Sequence, residues 1–149
     1  MSPVVGGYHT LVVTQRGQAG QAGSGDLTLP AGLSTPRAAR HFLADTLRRR
    51  QVRSVVVDVA TLLTSELVTN AVRHGRGPVT VSVRTDPPSV RVVVHDDNPA
   101  IPVLGAADDS AADGGRGLRL VELLAARWGA DLHPPGGKDV WFELDLREG

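Results

Sequence analysis

Glu66 and Asn70 stand four residues apart in an apolar-periodic stretch, Val55 to Val72, that reads as one helix. Residues at that spacing share a helix face. The face lies at the edge of a stripe formed by Val56, Ala60, Leu63, Leu67 and Ala71. A carboxylate held beside a core stripe can take a proton, and an amide oxygen is a hard ligand that suits magnesium. A solvated helix face carries the same residue types, so the pair alone does not decide.

Two later segments add to it. In Val90-Arg91-Val92-Val93-Val94-His95-Asp96, the residues Val90, Val92 and Val94 alternate as in a half-buried strand. Asp96 continues their face where the strand runs into Asp97-Asn98-Pro99-Ala100-Ile101-Pro102. An acid on the inward face of a strand end must be paired or must bind something. Farther on, Asp113-Gly114-Gly115-Arg116-Gly117-Leu118 runs directly into an amphipathic helix. Such a junction presents free N–H groups at the positive end of the helix dipole, which suits phosphate. The plainer reading of these glycines is a flexible linker before a surface helix.

In this order, the segments resemble the nucleotide-binding boxes of the gyrase, chaperone, histidine kinase and MutL ATPase superfamily. Glu66 and Asn70 match its N-box. Asp96 through Asn98 to Pro102 match the first glycine box, whose Asp reads the adenine amino group. Gly115, Arg116, Gly117 and Leu118 match the second. The branch it resembles most is the stand-alone anti-sigma-factor serine/threonine kinases, and within it the short actinobacterial members with Ser-Glu-Leu-Val-Thr-Asn-Ala-Val-Arg-His-Gly, here Ser65 to Gly75. The resemblance runs from about Leu27 to Leu146. Asn98 stands where the superfamily usually carries glycine; Asn tolerates left-handed backbone angles, so a left-handed turn is expected there. Asp139 stands where a threonine commonly helps hold a water under the adenine, and an ionised carboxylate there can only accept.

The rest of the chain must position these groups. Its 149 residues suit one domain. At this size roughly 68–70% of the unfolded surface is buried, enough for a core. Net charge is zero, which argues against nucleic-acid or membrane-surface binding. The basic run Arg48-Arg49-Arg50 with Arg53 reads as the end of a helix, well placed against the dipole. No cysteine is present, so disulfides, thiolate metal sites and thiol nucleophiles are excluded. The sequence shows no signal peptide and no apolar run of spanning length, so a cytoplasmic location is expected.

Residues 1–25 read as a flexible tail, with Thr10 to Thr14 as a short strand, and residues 26–149 as the domain. Leu27-Thr28-Leu29-Pro30 reads as an edge strand. Ser34 or Thr35 caps a helix with Pro36 in its first turn. Its stripe is Ala39, Phe42, Leu43, Thr46 and Leu47. The Glu66 helix stops at Gly75-Arg76-Gly77-Pro78. Val79 to Arg84 and Val90 to Asp96 are strands joined at Asp86-Pro87-Pro88. Gly105 to Gly115 reads as a small, acidic lid, whose Asp108, Asp109 and Asp113 are lid surface. Leu118 to Trp128 reads as a helix stopped by Gly129, and Ala130 to His133 and Asp139 to Leu146 as strands. Hairpin-linked strands predict a mixed, mostly antiparallel sheet, with helices on one face: a two-layer α/β sandwich. The resemblance implies the same Bergerat-type fold, with nucleotide between sheet and helices.

The resemblance also implies a mechanism. Asp96 accepts from adenine, Asn70 holds Mg2+ on ATP, Gly115 and Gly117 cradle phosphate, and Glu66 is the base toward a partner's hydroxyl. Arg116 either reaches the terminal phosphate or is a solvated loop residue. His74 is expected to cap its helix, and Trp128 and Trp141 to anchor the core. The implied partners are an anti-anti-sigma-type protein and a sigma factor, and the implied assembly is a homodimer. The alternative is a catalytically weak binding module in which nucleotide only orders a partner surface.

Overall fold

The computed structural model describes residues 23–101, 114–133 and 136–147. Thr10 to Thr14, Pro102, the lid up to Asp113 and Pro134-Pro135 lie outside the described residues. The element order is β1 (Gly23–Leu29), α1 (Thr35–Arg49), α2 (Ser54–His74), β2 (Val79–Asp86), β3 (Ser89–Asp96), α3 (Gly114–Leu124), β4 (Arg127–Leu132) and β5 (Lys138–Asp145). The five strands form one sheet in the order β1-β2-β3-β5-β4. Among the described residues every neighbouring pair is antiparallel, the antiparallel sheet the hairpins predicted. The helices pack on one side of it, as a two-layer α/β sandwich.

The alternation read in the sequence explains the layering. Val79, Val81 and Val83 of β2 and Val90, Val92 and Val94 of β3 are all buried, and Val140, Phe142 and Leu144 of β5 join them. In register, Val90 opposes Leu144, Val92 opposes Phe142 and Val94 opposes Val140, so these positions share one face. Against that face lies α2, through Val56, Val57, Ala60, Leu63, Leu67, Val68 and Ala71. Beside it in the same layer, and touching β1, α1 adds Ala39, Leu43 and Leu47. By length and composition α2 is apolar enough to cross a membrane. That corrects the expectation that no stretch is; in this fold the apolar character serves a helix packed against the sheet and against both α1 and α3.

Several boundaries move. β1 starts at Gly23, inside the glycine-rich stretch, and pairs with Thr85 to Val79 of β2. Ser34 is the N-cap of α1 but makes no side-chain cap bond. Thr35 instead donates its hydroxyl to the Pro30 carbonyl at 2.7 Å. Arg50, at the C-cap, reaches Thr85 Oγ1 at 3.1 Å and so ties α1 to the sheet.

The largest correction concerns α3 and β4. The helix starts at Gly114 and ends at Leu124, and Trp128 and Gly129 lie in β4. Gly129 is not a helix stop. It stands opposite Trp141, and a Cβ there would sit 2.8 Å from the indole. Trp128 packs against the core, as expected. Trp141 does not: it faces away from the helices, with the Arg91 guanidinium 4.0 Å above its ring.

Candidate functional site

The inward face of β3 ends at Asp96, which is only 2% exposed. Its partner in the ladder is Lys138, the first residue of β5. Because Lys138 alternates with Val140, Phe142 and Leu144, the ammonium enters the same layer. Lys138 Nζ donates to Asp96 Oδ2 at 2.8 Å, to Oδ1 at 3.1 Å and to the Asn98 carbonyl at 3.1 Å. Asp96 Oδ1 also accepts the Asn98 N–H at 2.8 Å and the Arg76 N–H at 3.4 Å. The expectation that this acid must be paired or bind something is therefore met internally, by the only lysine in the chain.

The helix end is built against this carboxylate. Gly75 closes α2 by donating its N–H to the Ala71 carbonyl at 2.9 Å. A Cβ on Gly75 would lie 2.6 Å from Asp96 Cγ and would also meet the Ala71 carbonyl. Any side chain there pushes the helix off the strand. Asn98 seals the junction from the other side. Its Nδ2 donates to the His74 carbonyl at 2.8 Å, and its Oδ1 accepts the Ala100 N–H at 3.0 Å. The left-handed turn expected at Asn98 is not formed: among described non-glycine residues only Gln51 has a positive φ. The asparagine is used as a hydrogen-bonding clamp on the helix terminus. His74 contributes its carbonyl there, and its side chain is exposed.

Glu66 and Asn70 lie back along α2, both half-buried. Among the described residues, neither side chain has a hydrogen bond or ion pair. With a rise of 1.5 Å per residue, Asn70 stands roughly 7.5 Å and Glu66 roughly 13.5 Å from Gly75 along the axis. Starting from the Asp96 carboxylate of β3 at its end, the helix thus sets out an amide and then a carboxylate. Gly114 to Gly117 are not a linker but the first turn of α3, which packs on α2. Their backbone N–H groups have no partner within the helix, as at any helix N-terminus. Leu118 is buried in the core and so positions that turn by packing. The side chain of Arg116 and all of Pro102 fall outside what is described.

Residues 29–144 match the family described as histidine kinase-like ATPase domain. The chain belongs to that family. No curated protein matches it. A histidine kinase-like ATPase domain implies ATP binding, and the residues present fit the nucleotide. A carboxylate has about four acceptor positions. Asp96 Oδ2 accepts only from Lys138 among the described residues, so it retains a lone pair for an adenine amino group. The three ammonium hydrogens of Lys138 are matched by its three acceptors.

One expected contact of the ATPase domain is misplaced. Asp139 stands opposite His95, on the sheet face turned away from the helices. His95 Nδ1 lies 2.8 Å from Asp139 Oδ1. Strand alternation puts Asp139 and Asp96 on opposite faces, so Asp139 is not brought together with Glu66, Asn70 and Asp96. Lys138 occupies the inward position instead. Lys138 was not among the residues expected at the site, although its spacing to Val140 and Phe142 marks it as inward-facing. The hydrogen bond to Asp139 holds the His95 imidazole above its ordinary range, with the charges of Asp139 and Asp97 adding and burial opposing.

Proposed function

We propose that this ATPase domain is a cytoplasmic regulatory switch of the anti-sigma-factor serine/threonine kinase type, which phosphorylates an anti-anti-sigma-type protein. The observation that supports it most is that Asp96, at the end of β3 against the C-terminus of α2, is followed back along that helix by Asn70 and then Glu66. This order is that of a nucleotide's base, metal-bound phosphates and reacting end. Bound Mg-ATP supplies an activated phosphoryl group and the charge that offsets its phosphates. Asp96 Oδ2 accepts from the base and thereby fixes its orientation. Asn70 offers its amide oxygen to the metal, a hard ligand for a hard ion. The N–H groups of Gly115 and Gly117 donate to phosphate at the α3 terminus. Glu66 would accept the proton of the partner's hydroxyl as that oxygen bonds to the terminal phosphorus, while the bond to the bridging oxygen breaks and ADP leaves.

Incubation of the protein with labelled ATP and candidate anti-anti-sigma-type proteins tests the reading. The expected result is label on a serine or threonine of the partner. The second reading, a nucleotide-gated binding module, draws support from the Asp96–Lys138 pair, since a base must share an acceptor already in use. Nucleotide-dependent partner binding with no phosphorylated product favours that reading.

A further inference from the structure

The sheet face turned away from the helices carries a second cluster of chemistry-bearing side chains. His95 near the end of β3 stands opposite Asp139 of β5, and Asp139 stands opposite Asp131 of β4. His133 follows β4 directly, and its N–H donates to the Gly137 carbonyl at 3.0 Å, which continues the ladder. The period of two along β4 keeps His133 on the face of Asp131. Three neighbouring strands thus deliver His95, Asp139 and His133 to one end of one face. One ligand atom from each lies within 4.8 Å of the others. The imidazoles meet edge to face with centroids 4.8 Å apart. The Asp139 side chain is 8% exposed and that of His95 18%.

We propose that His95, His133 and Asp139 form a binding site for a divalent transition-metal ion of the zinc type. Two imidazole nitrogens and a carboxylate oxygen match the ligand preferences of zinc, whereas magnesium and calcium take oxygen almost alone. Ligand atoms around a tetrahedral zinc are about 3.3 Å apart, from metal–ligand distances of about 2.0–2.1 Å. The three ligand atoms already lie within 4.8 Å of one another, so binding needs them to adjust to that spacing. Three protein ligands leave one position for water. The charges around the cluster also ask for a cation. Asp97 Oδ1 lies 3.3 Å from His95 Nε2, Asp131 adds a carboxylate, and Arg91, the nearby guanidinium, is engaged with Glu143 at 3.0 Å. A dication there offsets carboxylates that no further arginine or lysine of this face meets among the described residues.

The site is on the opposite face from Glu66 and Asn70 and does not rest on the nucleotide reading. It is nonetheless coupled to it by the chain. His95 and Asp139 are the sequence neighbours of Asp96 and Lys138, so an ion would fasten β3, β5 and β4 behind the Asp96 carboxylate.

Zinc binding to the untagged, chelator-stripped full chain tests the assignment, by calorimetry and by elemental analysis after gel filtration. The expected result is one zinc per chain, retained in excess magnesium. His133→Ala and His95→Gln should each weaken zinc binding by more than the roughly 10- to 100-fold that losing a merely orienting group costs. His41→Ala and His74→Ala should not change it. Cobalt(II) in place of zinc should give visible absorption that both ligand variants lose. Circular dichroism checks folding; if His95→Gln unfolds, the half-buried His133 at the strand end decides. No saturable zinc uptake, or uptake unchanged in His133→Ala, overturns the site and leaves the cluster a hydrogen-bonded strand clasp.

Discussion

Lys138 Nζ lies 2.8 Å from Asp96 Oδ2 and 3.1 Å from Oδ1, inside the layer between sheet and helices. Both side chains are nearly closed to solvent, at 8% and 3% exposure. The residue expected to read the base is therefore also half of a buried ion pair, so its loss affects stability and binding together.

Asp96→Asn leaves the Lys138 ammonium buried beside a neutral amide. Removing one partner of such a pair costs about 3–5 kcal/mol. Urea unfolding should show that loss for Asp96→Asn and recover much of it in Asp96→Asn with Lys138→Met. A double variant as unstable as the single one would show that the pair is not the cause.

The same double variant separates folding from nucleotide binding. It keeps the layer neutral but lacks the charged acceptor. A charged hydrogen bond contributes about 1.5–3 kcal/mol, so ATP affinity should fall about 10- to 150-fold. Calorimetry on the folded double variant measures this, and unchanged affinity would remove Asp96 from the base site.

Gly75→Ala places a methyl group against Asp96 and the Ala71 carbonyl. Overpacking of this kind costs about 1–3 kcal/mol. The expected outcome is a lower urea midpoint together with weaker ATP binding, because the helix end and the carboxylate move as one. Loss of stability at full ATP affinity would count against a site organised around that contact.

Glu66→Ala and Asn70→Ala should part company. Glu66 is assigned to the attacking hydroxyl, so its loss should lower phosphoryl transfer by about 100- to 10,000-fold and change ATP affinity little. Asn70 is assigned to the metal, so its loss should weaken Mg-ATP more than metal-free ATP. Single-turnover transfer and calorimetry with and without magnesium distinguish the two. Wild-type transfer by the Glu66 variant would refute the base assignment.

Asn98→Gly installs the residue the superfamily usually carries, yet it should destabilise this chain. It removes the bonds to the His74 carbonyl and the Ala100 N–H. At roughly 0.5–1.5 kcal/mol per bond, a total loss of about 1–3 kcal/mol is expected from thermal or urea unfolding. A stabilised variant would mean that the turn prefers glycine after all.

Much of this protein is written in local pattern. The 3.6-residue periodicity of Val56, Ala60, Leu63, Leu67 and Ala71 determined α2, and with it the shared face of Glu66 and Asn70. The alternation of Val90, Val92 and Val94 determined β3 and carried Asp96 to its inward end. Such signals survive in sequence because they arise between residues only a few positions apart. The tertiary structure decided what pairing across the chain decides. Lys138 meets Asp96 across 42 positions of sequence, and one residue of register would have exchanged it for Asp139. Because the side-chain period of a strand is two, that single choice puts Lys138 in the cleft and Asp139 with His95 and His133 on the opposite face. The end of α3 was also a tertiary matter. Nothing local stops the helix before Trp128, but the Ala126 N–H donates to the Glu143 carbonyl at 2.8 Å, and pairing with β5 takes the chain into the sheet.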